Sequence, residues 1–292
     1  MIKFSNRGVG LALTLLPVGF LTASGALAEQ TESIPQLGSA YSPWSKLNND
    51  FVAIPGGGPG PVMSDPAHPY FPNGRGPNGP TLRIADLSNP ILKPWLIPSM
   101  KKANDLAAAG KEAYEARAAC HPGGVPGFLV MGRLNPMYIV QGPREVVLIN
   151  EGGPEVRHIH LNVPHSTHLK PSPYGESVGH YEGDTLVVDT IGLSDDTYVD
   201  NYRTPHTTQE HVIERFKLID GGKMLQVDVR VEDSGAFNMP WSARQIYRGG
   251  VSTDSFHGKF LEGQMLEAPC EQNNLIGGAT VAPIPVADKS DF

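Results

Sequence analysis

From residue 135 onward, apolar and polar positions alternate with a period of two, the spacing of a strand with one buried face. The runs 137–140, 145–150, 156–163, 177–181, 185–190, 211–218, 224–232, 243–248 and 260–266 carry this pattern. Turn signals separate several of them: Gly142-Pro143, Glu182-Gly183-Asp184 and Asp220-Gly221-Gly222-Lys223. The last two read as hairpin connections. Eight or so strands joined in this way predict an antiparallel meander, and closure into a barrel removes its edges. A two-sheet sandwich is the alternative. Nothing shows the strand–helix alternation of a parallel sheet, a Gly-rich phosphate loop or a nucleophile elbow.

Upstream of the strands the pattern changes twice. Residues 100–119, opened by Pro98-Ser99 and rich in Ala, Lys and Glu, predict one helix, stopped by Cys120-His121-Pro122-Gly123-Gly124. Between residues 43 and 80 there are nine Pro and seven Gly, which exclude helix and central strand. That stretch reads as an extended arm, and Trp44, Phe51, Tyr70 and Phe71 suggest that it docks onto the body. At the amino terminus, Lys3 and Arg7 precede an apolar run over 9–21 and then Ala26-Leu27-Ala28, the pattern of a secretory signal peptide. The run is shorter than the ~20 residues that span a bilayer, and no second one follows. The expected organisation is a signal peptide (1–28), a Pro/Gly-rich arm (29–97), a helix (98–120), a β-barrel domain (121–272) and a tail (273–292). The expected location is the periplasm or the medium, with no membrane span after cleavage.

Composition sharpens this picture. The 292 residues, with 33 Gly and 27 Pro, describe a loop-rich chain long enough to bury a large core. The formal charge is −7, and losing Lys3 and Arg7 takes it to −9, so a nucleic-acid partner is excluded on electrostatic grounds. Export gives the two cysteines a meaning: Cys120 and Cys270 form an even pair in an oxidising compartment and are expected to be bridged. Two unrelated buried thiols are the alternative.

Candidate chemistry concentrates in one stretch. Seven of the ten histidines, His158, His160, His165, His168, His180, His206 and His211, lie within 54 residues. On a strand His158 and His160 share a face, so two imidazoles with His206 or His211 could hold Zn, Cu or Fe. Glu182, Glu214 or Asp200 would supply a carboxylate. Without metal, His165 after Pro164 and His206 after Pro205 sit on irregular backbone and suit general acid–base work together with His211. Tyr198, Asp200, Tyr202 and Arg203 share a loop that could polarise a substrate carbonyl or carboxylate. His211 and Glu214, three apart, belong on opposite strand faces. Trp241, after Pro240, plugs a barrel end or stacks on substrate.

The run Ser177 to Leu193, SVGHYEGDTLVVDTIGL, resembles the G-x-W-E-G-D-T-L-V-V-D-T-x-G-F signature of a large, uncharacterised family of secreted bacterial proteins. Pro205-His206-Thr207 with His211, Glu214 and Arg215 is similar to that family's P-H-S and L-H-x-x-E-R. Asn238 to Trp241 resembles its Y-x-x-P-W, Cys120 to Pro126 its C-x-P-x-G-x-P-R, and Glu267 to Glu271 its late cysteine segment. The resemblance spans about residues 94–271 and implies an exported protein with a lipocalin-like barrel, without supplying a reaction. Tyr181 stands where the family has Trp, and Gly127 where it has Arg. His165, His206 and His211 match family positions, whereas His158, His160 and His168 are particular to this chain.

The sequence thus predicts a mainly β protein, an antiparallel meander closing as a lipocalin-like barrel with an arm and one helix. The expected function is a periplasmic enzyme of lyase, isomerase or hydrolase type. Its catalytic residues would be His165, His206 and His211, and it would take a small, partly apolar or aromatic substrate in the barrel cavity. His160, Tyr181, Tyr198, Tyr202, Arg203 and Trp241 would line the substrate site; a metal, if bound, would use His158, His160, His206 and His211. A non-catalytic periplasmic protein binding a small molecule or metal is the alternative. The arm could also reach a second copy, making an oligomer.

Overall fold

The alternating runs become strands almost residue for residue. Among the described residues the elements are β1 Trp44–Lys46, β2 Val52–Ala53, α1 Ile97–Ala108, β3 Met137–Gln141, β4 Glu145–Asn150, β5 Glu155–Leu161, β6 Glu176–Glu182, β7 Thr185–Ile191, β8 His211–Ile219, β9 Met224–Glu232 and β10 Trp241–Gly249. The structure, a computed structural model, describes residues 34–38, 43–70, 83–110, 122–131, 136–150 and 155–249, all in one unit. The signal peptide, Cys120, Cys270 and the expected strand 260–266 lie outside the described residues.

Strands β3 to β10 follow one another in space, and β1 pairs with both β3 and β10, closing a ring of nine. The protein is a closed β-barrel of the lipocalin-like kind. β10 carries β9 on one edge. On the other it meets β1 at Tyr247, Arg248 and Gly249 and β2 at Ala243 and Arg244. Tight turns join the hairpins: Gly183, Gly221 and Gly222 all take positive φ, a conformation that glycine adopts without steric cost.

Two expectations are corrected here. The sheet is mixed, because β5 and β6 run parallel, Ile159 opposite Ser177. A parallel pair needs a crossover of about a dozen residues, and the fourteen residues between Leu161 and Glu176 supply it. Asn162, at φ 56, starts that crossover, and Ser172 anchors its far end by bonds with Gly192 and Ser194. Second, the strand that closes the ring comes from the arm. Within the Pro/Gly-rich segment, residues 44–46 contain no Pro, so each has a backbone N–H for the ladder and Trp44 an aromatic to bury, and they serve as a stave of the barrel.

The arm is accordingly part of the core. Leu37, Trp44, Phe51, Val62, Ile91 and Leu96 are all buried with the barrel's inward residues. Trp241 is sandwiched edge-on by Phe51 and Phe237 at centroid distances of 6.5 and 5.8 Å. Helix α1 is shorter than the 98–120 expected. It ends at Ala108, where Gly110 at φ 69 turns the chain out; residues 111–121 lie outside the described ones. Buried Asn104 of α1 bonds both the N–H and the C=O of Ala85, at 2.8 and 2.9 Å, fixing helix to arm.

Candidate functional site

Strand alternation decides which groups face the inside. In β5, Glu155, Arg157, Ile159 and Leu161 are buried and Val156, His158 and His160 are exposed. His158 and His160 do share a face, but it is the outer one. Inside, Arg157 donates from Nη1 to Glu214 Oε1 at 2.8 Å and from Nη2 to Oε2, and Nη2 also reaches Thr190 Oγ1 at 2.8 Å. Arg157 Nε and Nη2 lie 3.1 and 3.0 Å from Ser177 Oγ. The pair is enclosed, with side chains 1% and 0% exposed. Glu214 thus faces inward and His211 outward, as their spacing requires. Arg215, the adjacent charge, is exposed and bonds Glu182.

The outer face carries the histidine chemistry. His165, in the crossover, sits between two carboxylates: Nδ1 is 3.1 Å from Glu176 Oε1 on β6, and Nε2 is 3.0 Å from Asp189 Oδ1 on β7. His211 on β8 places Nε2 3.0 Å from the same Asp189 oxygen, and its Nδ1 is 3.7 Å from Glu232 Oε2 on β9. All five side chains keep partial access to solvent. The Ser166 N–H also donates to Glu176 Oε1 at 2.6 Å; hydrogen bonding from Ser166, its side chain first and its backbone N–H after, and then from His165 holds the Glu176 carboxyl below its usual value against the opposing effect of burial.

The two rings differ in their surroundings. His165 has a carboxylate at hydrogen-bond distance from each ring nitrogen, whereas His211 has one, Asp189, with Glu232 farther from its other nitrogen. Two imidazoles joined through one carboxylate are the raw material of acid–base chemistry.

Beside this network runs an outer groove of about 470 Å³ along β5, β6 and the crossover, lined by His158, His160, His168, Lys170 and Tyr174 among others. Glu176 belongs to both groove and network. The crossover creates the groove: a parallel β5–β6 pair obliges the chain to return across the outside of the sheet.

His206 is not part of this cluster. It is fully buried, its Nε2 2.8 Å from Thr197 Oγ1 and its Nδ1 2.7 Å from Glu210 Oε2, and it shares no partner with His165 or His211. Burial opposes charge on His206, but Glu210 beside it outweighs that and raises its pKa; burial raises that of Glu210 as well. The pair anchors the loop that leads into β8. The expected metal set of His158, His160, His206 and His211 is therefore split between the outer face of β5, a buried loop and the outer face of β8. Among the described residues no group of three or more His, Cys, Asp or Glu is arranged to hold a metal ion.

The expected substrate residues also disperse. His160 lines the groove. Tyr181 is half-buried and accepts from Gln141 Nε2 at 2.8 Å, while Gln141 also holds Pro35 and Leu37. Tyr202 is buried and bonded to Ser64, and Arg203 is buried and donates to the Arg83 carbonyl. Half-buried Tyr198 bridges to Pro205 across the base of the same loop. Trp241 is core. Aromatic and charged residues here join the arm to the 195–205 loop.

Asp200 organises that loop. Its carboxylate accepts from the N–H groups of Tyr202 and Thr204 and from Thr204 Oγ1, at 2.9 to 3.2 Å. Burial raises its pKa from 3.8 to about 6, with the Thr204 and Tyr202 bonds pulling the other way. The native state thus keeps a proton between about pH 4 and pH 6 that the unfolded chain has already lost. Stability falls as pH rises through that window, by about 3 kcal/mol at 1.36 kcal/mol per unit. Asp200→Asn, which stays neutral, is expected to remove this slope. Urea unfolding at pH 4.5, 5.5 and 7 should show parent and variant diverging with pH; parallel curves would contradict the assignment.

Among the described residues no helix is long and apolar enough to cross a membrane. Comparison with family models, curated proteins and solved structures gives no match.

Proposed function

We propose that this protein is an exported acid–base enzyme, of lyase, isomerase or hydrolase type, whose reaction takes place on the outer face of the barrel. The observation that carries the reading is the shared Asp189 oxygen, 3.0 Å from Nε2 of both His165 and His211. Asp189 fixes the His211 tautomer, so that Nδ1 takes a proton from substrate, and Glu232 steadies the imidazolium that forms. His165, held between Glu176 and Asp189, fixes Asp189 from the other side. The substrate is a small, partly apolar or aromatic molecule. The signal-peptide pattern and the resemblance to secreted bacterial proteins support a periplasmic setting.

The test is turnover. Parent and His211→Asn are assayed against a panel of aromatic and short-chain acids, esters and hydroxy acids. At least one panel member should be converted by the parent, with kcat/KM lowered ~10²–10⁴-fold in the variant, the usual contribution of a general base. A substrate converted equally well by His211→Asn would overturn the reading.

A further inference from the structure

The outer groove gathers nitrogen donors. Its lining holds Lys170 and three imidazoles, His158, His160 and His168, against a single carboxylate, Glu176. That carboxylate is engaged: Oε1 already takes the Ser166 N–H and His165. His158 is matched by Glu145 at 3.2 Å, and His168 lies 2.8 Å from Thr167 Oγ1. Lys170 and His160 have no partner among the described residues and open into the groove. Between them Val156, Leu169 and Tyr174 supply apolar wall, and the Tyr174 ring is held edge-on to Phe128 at 5.9 Å. A concave site with an uncommitted ammonium, an uncommitted imidazole and a fixed aromatic wall favours a ligand with one anionic end and one flat apolar end.

We infer that the groove binds a small aromatic carboxylate, its carboxylate held by Lys170 and His160 and its ring laid against Val156, Leu169 and Tyr174. This goes beyond the proposed function: of the network's residues only Glu176 lines the groove, and His211 Nδ1 lies at the network's opposite end, so the groove is a binding site in its own right. The ligand comes to lie beside Glu176, at the end of the His165–Asp189–His211 chain. His160 and His168, both outside the family-like positions, would then serve selectivity.

The experiment measures binding without turnover. The full mature chain is titrated with benzoate, benzyl alcohol and benzylamine by calorimetry and by NMR of the histidine ring protons at low salt. Benzoate should bind at least ~10-fold more tightly than either isostere, the factor given by one retained charge-assisted bond. Lys170→Gln should weaken benzoate at least tenfold, with an unchanged circular dichroism spectrum. This Lys is exposed, so the fold does not depend on it. His211→Asn should bind benzoate as the parent does. Equal affinity for benzoate and benzyl alcohol would overturn the inference, as would unaltered binding by Lys170→Gln. Benzoate bound in the groove with no panel substrate ever converted would sink the enzyme reading and leave this one standing. Turnover of a panel substrate together with benzoate binding unaltered by Lys170→Gln would do the reverse.

Discussion

Glu214→Gln is expected to cost about 3–5 kcal/mol of unfolding free energy, the usual penalty for breaking a buried ion pair from one side. The charge of Arg157 stays behind with only Ser177 and Thr190 hydroxyls to solvate it, and its side chain is 1% exposed. Glutamine fits the space but turns an N–H₂ toward the guanidinium donors. The double variant Arg157→Met/Glu214→Leu should recover most of the loss, because an apolar pair of similar volume carries no desolvation penalty. Urea titration at pH 7 decides the matter. Single variants within about 1 kcal/mol of the parent would show the charge to be solvated in a way the geometry does not provide.

The second large effect is on Asp189. Asp189→Asn keeps the size and most of the shape of the side chain, but its amide can accept only on the oxygen side and cannot balance an imidazolium. His211 loses the contact that selects its tautomer, and His165 loses one of its two carboxylates. Turnover of any substrate found in the panel should fall by roughly 10²–10⁴-fold, with KM little changed, since the group acts through the base. Combined with His211→Asn the losses should be far from additive, as the two residues work as one unit. A stability loss without a rate loss, or full additivity, would reduce the network to surface ion pairing. Because Asp189 is 42% exposed, its replacement should alter stability by well under the loss expected for Glu214.

Strand positions were legible in the sequence because a period of two survives in strands such as β4, β5 and β9, and β4 and β9 match their sequence runs to the residue. The phase of β5 was harder. Val156, His158 and His160 form one face, Arg157, Ile159 and Leu161 the other, and only the partner Glu214, 57 residues away, makes an inward Arg tolerable. Reading the lone Arg and the lone Glu as a matched inward pair was the missing signal, and it would have moved the histidines outside at once. The parallel β5–β6 pair was hidden for a related reason. A fourteen-residue connection rich in Pro, Ser and His looks like any loop, although its length is what a crossover requires. Asp189 itself was visible only as a polar break in the Leu-Val-Val-Asp-Thr run. Its role depends on His165 and His211, brought to it from 24 and 22 residues away.

The ring is closed by Trp44 of β1 lying opposite Gly249 of β10. That pairing joins positions about 200 residues apart, among the most sequence-distant contacts a chain of this length can make, and such contacts slow folding. A ribosome releasing this chain makes the first stave near the beginning and its last neighbour only after residue 249. Until then β1 has no completed berth, and the barrel must remain an open sheet with two bare edges. Closure is thus tied to synthesis of every stave from β1 to β10, a built-in delay that keeps the barrel unlocked until residue 249 has been made.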